Sequence, residues 1–161
     1  MAEEFAEYIG HENIYNFTDN GGALLCITDS SALAEGKLVL TGNDGYNGGF
    51  ADIKVGNTVE LYRATLDASG FSTAENGAAL AVRGTFHMHS GKVIGGKATN
   101  NLKNGGAIWL AKGSQMTLDS GEIFGGEAGR WGGSIYVTGS GTAFTMNGGT
   151  ITGGVLINGN G

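Results

Sequence analysis

A recurring spacing of apolar residues governs what this chain can fold into. Pairs separated by one residue return as Leu25/Ile27, Ile53/Val55, Leu80/Val82, Ile108/Leu110 and Ile135/Val137, and the steps between their second members are 28, 27, 28 and 27 residues. A second series follows from the second unit on, as Val59/Leu61, Phe86/Met88, Met116/Leu118 and Phe144/Met146. Five residues after each comes a third apolar position, Leu66, Val93, Ile123 or Ile151, and Leu33 and Leu38 keep that separation of five in the first unit. Side chains two apart share one face of a strand, whereas a helix needs separations of three and four. Each unit therefore predicts three short strands, and five units fill the chain from about residue 21. One unit cannot bury its own apolar row. The repeat demands stacking, strand over strand at ~4.8 Å, into parallel sheets around an apolar interior.

Glycine supplies the bends. Of the 161 residues 32 are Gly and none is Pro. Glycine pairs at Gly21/Gly22, Gly48/Gly49, Gly105/Gly106 and Gly132/Gly133, with others at Gly95/Gly96, Gly125/Gly126 and Gly153/Gly154, stand between the strand positions, where a chain must turn without a Cβ clash. No G-X-Y period accompanies them, which excludes collagen. With 40% hydrophobic and 15% charged residues the chain has the apolar content to bury a core. An antiparallel sandwich has no reason to hold this period, and a propeller blade needs four strands in about 40 residues.

The segments GGAIWLAKGSQMTLDSGEIFGG at 105–126 and GGSIYVTGSGTAFTMNGGTITGG at 132–154 resemble the repeats of right-handed parallel β-helices of the pectin-lyase-like kind. They are also similar to repeat arrays of bacterial cell-surface and adhesin-like proteins. The resemblance covers residues 77–154 well and 21–76 more loosely. It implies an all-β, right-handed parallel β-helix of about five rungs, on an extracellular or cell-surface protein. The same family holds polysaccharide lyases, hydrolases, phage tail-spikes and inert adhesins, so fold alone does not choose a function.

The ends divide the chain into a cap segment, 1–20, and a repeat domain, 21–161. Phe5, Tyr8 and Ile9 lie at helical spacing beside Glu3, Glu4 and Glu7, predicting a short amphipathic helix over the first rung. The last unit shows no such cap. An uncovered rung exposes unpaired backbone, so it reads as a cut through a longer array or as an end that meets another chain, with self-association through the final rung as one expectation.

Residues between the paired apolar positions face outward, and any site must lie there. The first outward stack reads Cys26, Lys54, Ala81, Trp109, Tyr136, which sets two aromatic rings on adjacent rungs in the manner of a sugar-stacking surface. Lys54 and Lys112 near them point to an anionic glycan. Aromatic ladders also stabilise sheets with no ligand present, which is the competing reading. A second stack, Glu60, His87, Thr117, Thr145, and a third, Tyr62, His89, Asp119, Asn147, place two imidazoles and a carboxylate together. His87, His89 and Asp119 are the residue types a divalent metal selects, although a solvated histidine pair is the commoner arrangement. Asp29, Asp44, Asp52, Asp67 and Asp119 do not align on consecutive rungs, so no calcium site is expected.

The lyase and hydrolase constellations are missing at matching positions, and the chain reads as non-enzymatic, without a cofactor. A small polysaccharide-active enzyme, with Asp119, His89 or Arg63 near the chemistry, and a phage fibre segment are the alternatives. The acidic balance of 15 Asp+Glu against 9 Lys+Arg, with no basic run, argues against a nucleic-acid partner. No stretch reaches the ~20 apolar residues of a membrane-spanning helix. A single Cys26 leaves the redox compartment open.

Overall fold

The computed structural model describes residues 24–27, 37–39, 51–56, 58–62 and 65–158, the first two stretches and residue 51 as strand backbone alone. The expected N-terminal helix, Leu33, Arg63 and the glycine pairs at 21–22 and 48–49 lie outside them. Every regular element among the described residues is a strand. β1 (Leu24–Ile27) and β2 (Lys37–Val39) precede a coil of β3 (Ala51–Ile53), β4 (Thr58–Leu61) and β5 (Thr65–Asp67), after which comes the short β6 (Ser72–Thr73). Three more coils follow: β7 (Leu80–Val82), β8 (Thr85–Met88), β9 (Lys92–Ala98); β10 (Ile108–Leu110), β11 (Gln115–Leu118), β12 (Glu122–Ala128); and β13 (Ile135–Val137), β14 (Ala143–Met146), β15 (Thr150–Thr152), with β16 (Val155–Leu156). No helix among the described residues is long and apolar enough to cross a membrane.

Stacking the coils gives three parallel sheets, ordered β13-β10-β7-β3, β1-β4-β8-β11-β14 and β15-β12-β9-β5-β2. We call them sheets A, B and C. The chain is thus a parallel β-solenoid of four complete coils, and two strands of an earlier coil extend sheets B and C. Apolar columns run along its interior, such as Val59–Phe86–Met116–Phe144 and Leu61–Met88–Leu118–Met146 on sheet B. Leu66–Val93–Ile123–Ile151 does the same on sheet C. Phe86, Met88, Leu110, Leu118 and Ile123 are wholly buried, each worth about 1.5–3 kcal/mol relative to exposure.

The structure corrects the register at the first two rungs. β1 pairs with β4, matching Leu25 with Val59 and Ile27 with Leu61, so Leu25/Ile27 belongs to sheet B. On sheet A, Ala51 faces Leu80 and Ile53 faces Val82. Ala51/Ile53 is the apolar pair there, and Val55 lies in a turn, 75% exposed. The first outward stack therefore reads Asp52, Ala81, Trp109, Tyr136. Cys26 stands instead in register with Glu60.

Where sheet C hands over to sheet A, the chain closes on itself backbone to backbone. A Cβ built on Gly106 would meet the Gly133 oxygen at 2.3 Å and the Glu127 nitrogen at 2.4 Å. Gly106, Gly126, Gly133 and Gly154 stand where coils approach too closely for any side chain. Outside that corner, charges pair between neighbouring coils: Lys92 with Glu122 and Lys97 with Glu127, both at 2.8 Å, and Lys103 with Glu75 at 2.7 Å. Two asparagines accept from backbone N–H groups, one within its own turn and one across coils. Asn100 Oδ1 accepts from the Leu102 N–H at 2.9 Å, and Asn76 Oδ1 accepts from the Asn104 N–H of the next coil at 2.8 Å.

The last described coil is covered on one side. Ile135, Phe144 and Ile151 are partly buried against the core, while Val137, Met146, Val155 and Ile157 are exposed by 41–53%.

Candidate functional site

Two outward faces gather chemistry-bearing side chains. On sheet A, Trp109 and Tyr136 are register partners on adjacent rungs, both half-buried. The Tyr136 ring stacks on Trp131, with centroids 5.8 Å apart, so the tyrosine's aromatic partner comes from the bend that precedes β13. Two guanidinium groups flank this row. Arg83 sits 4.8 Å from the Trp109 ring centroid and Arg130 sits 3.7 Å from that of Trp131, both within cation–π range.

The register shift decides what the lysines do. Asp52, not Lys54, occupies the aromatic stack, and its carboxylate is fully buried. It is held by the Lys54 ammonium and, at 3.1 Å, by Arg83 Nε. Lys54 is thereby committed to Asp52, which is what burial of a carboxylate requires. Lys112 is exposed in the bend after β10, against Gly139 of the next coil. Among the described residues neither Lys112 nor Arg130 has an ion-pair partner.

On sheet B the two histidines meet the acids the stacks placed beside them. His87 and His89 alternate with buried Met88, which turns both imidazoles outward. Register sets Glu60 beside His87, and the pairing of Leu118 with Met88 brings Asp119 to the level of His89. Asp119 Oδ2 accepts from His87 Nε2 at 2.7 Å and lies 3.3 Å from His89 Nδ1. Its other oxygen accepts from Asn147 Nδ2 at 2.8 Å. These contacts hold the Asp119 carboxyl below its usual value, first through the Asn147 hydrogen bond and then through that from His87; desolvation opposes them, and lesser attractions of the two imidazoles add to the lowering. Across the pair, His89 Nε2 lies 3.5 Å from Glu60 Oε2, and Tyr62 donates to that same oxygen at 2.8 Å. The Tyr62 and His89 rings stack at 4.1 Å, and the His87 and His89 rings lie 3.7 Å apart.

The structure thus brings His87, His89 and Asp119 together and adds Glu60 and Tyr62. Their signal was already in the outward stacks, one rung below each histidine. On sheet A it adds Trp131, Arg83 and Arg130, whose bend positions no alternation marks. Arg63 lies outside the described residues. No protein-family model matches the chain, and no curated protein or solved structure matches it either.

Proposed function

We propose that this chain is a non-catalytic β-solenoid module of a secreted or surface-displayed bacterial protein, serving as a stalk or adhesin segment that contacts carbohydrate through the outer side of sheet A. The supporting observation is the row Arg83, Trp109, Tyr136, Trp131, Arg130. Aromatic faces present flat apolar area to the C–H face of a sugar ring, and the cations beside them suit carboxylated sugars. Arg130 and Lys112 are the cations with no ion-pair partner among the described residues, and so can engage a uronate or sialate. The repeat composition, low in charge and rich in glycine, fits a displayed array. The half-covered last coil is the surface through which a further coil or a second copy would stack.

The test is a titration of acidic and neutral polysaccharides, with and without calcium, followed by tryptophan fluorescence. A saturable change for acidic chains, lost in Trp131→Ala and Trp109→Ala, supports the reading. No change across the panel refutes it, and polysaccharide cleavage in the same tubes would favour the lyase or hydrolase alternative.

A further inference from the structure

On the opposite choice of face, we infer that Glu60, His87 and His89 form a binding site for a zinc-class divalent transition metal, with Asp119 as the residue that positions both imidazoles. This does not rest on the carbohydrate reading. Glu60 is supplied by one coil, the histidines by the next, and Asp119 by the third.

Three features of the geometry carry it. One ligand atom from each of Glu60, His87 and His89 falls within 4.8 Å of the others. The 3.5 Å between His89 Nε2 and Glu60 Oε2 is a poor hydrogen bond, yet it suits two ligands of one tetrahedral ion, which bonds of about 2.0–2.2 Å place roughly 3.4 Å apart. His89 Nε2 is moreover buried with no hydrogen-bond partner among the described residues, a situation that native structures seldom leave unexplained. A cation between it and the carboxylate satisfies that lone pair.

The tautomers agree. With the proton on His89 Nδ1, which lies 3.3 Å from Asp119 Oδ2, Nε2 carries the free lone pair and lies 3.5 Å from Glu60 Oε2. With His87 Nε2–H given to the same Asp119 oxygen, His87 ligates through Nδ1. A carboxylate behind each imidazole is the arrangement that fixes ring orientation and raises ligand basicity at metal sites. Tyr62 holds Glu60 Oε2 from the far side. Two imidazoles and one carboxylate favour zinc, cobalt, nickel or copper over calcium or magnesium, which take oxygen alone. Three protein ligands leave a fourth position for water or for an oxygen of a bound molecule.

The experiment is calorimetric titration of the tag-free chain with Zn²⁺, with Co²⁺ absorption as a second readout. One equivalent should bind, and bound Co²⁺ should develop the visible d–d bands of a low-symmetry nitrogen and oxygen site. His87→Ala and His89→Gln should each abolish that equivalent. Asp119→Asn should keep the stoichiometry and weaken affinity by about 10–100-fold. Far-UV circular dichroism of the metal-free variants separates lost ligation from lost fold, since both histidines are outward and half-buried. Absence of saturable uptake, or uptake unchanged in the doubly substituted His87→Ala/His89→Gln chain, overturns the site. Unchanged affinity in Asp119→Asn overturns the positioning role.

Discussion

Leu118→Ala tests the solenoid where it is densest. Leu118 is wholly buried on sheet B, between Met88 in the coil before and Met146 in the coil after. The substitution removes three carbons from contact, worth about 0.8 kcal/mol each in transfer alone. Strands on both sides hold the backbone apart and limit collapse, so a cavity term adds to this, for a total of about 3–4 kcal/mol. With a urea slope near ~2 kcal/mol/M, the unfolding midpoint should fall by roughly 1.5–2 M at unchanged slope. Met146 occupies the same column one coil later but is 46% exposed. Met146→Ala should therefore cost only about 1 kcal/mol in dilute protein. Urea titrations of both variants by circular dichroism decide the matter. Equal losses, or a larger loss for Met146, would refute the order of coils and the one-sided cover of the last one.

Gly106→Ala must drive a Cβ into backbone atoms 2.3–2.5 Å away and should cost about 3 kcal/mol in thermal or urea unfolding, whereas Gly70→Ala enters open space and should be neutral or slightly stabilising. A fall in pH should act through Asp119. Its folded value lies below the ordinary 3.8, so the native state binds fewer protons than the unfolded chain; its contribution is complete above that ordinary value and is lost as pH falls through the folded one. Urea midpoints of the parent and of Asp119→Asn should therefore differ at neutral pH and converge in strong acid, while a constant gap would contradict the assignment. Lys112→Ala and Arg130→Ala should each weaken binding of an acidic polysaccharide in the fluorescence titration, Lys112→Ala without moving the unfolding midpoint and Arg130→Ala with a loss no larger than the ~0.5–1 kcal/mol of its contact with Trp131, and a larger shift in stability would make them structural.

The solenoid was legible in the sequence because its period and its strand alternation are both imposed by burial. Columns such as Val59–Phe86–Met116–Phe144 can be read from spacing alone. The first two rungs could not be placed that way. Shifting a strand by two residues preserves which side chains face inward, so Ile53/Val55 satisfies the alternation as well as Ala51/Ile53 does, and only the small size of Ala51 hides the true pair. Likewise Leu25/Ile27 carries the pattern of every column and does not say to which sheet it belongs. That error moved Lys54 onto the aromatic stack, where Asp52 stands. The histidine cluster was legible because it lies in coils whose register the spacing fixed, whereas Trp131 and Arg130 sit in a bend with no periodic signal.

The charge pairs between coils constrain how such an array can grow. Lys92 and Lys97 belong to one coil and Glu122 and Glu127 to the next, each over its opposite in register. Tandem copying of the β12 coil alone would set Glu122 over a second Glu122 and Glu127 over a second Glu127, ~4.8 Å apart, adding two repulsive contacts at roughly 0.2–1 kcal/mol each. Copying the two coils together would restore Lys over Glu at every new junction. On these two columns the unit of lengthening is a pair of coils, twice the period that the apolar residues display.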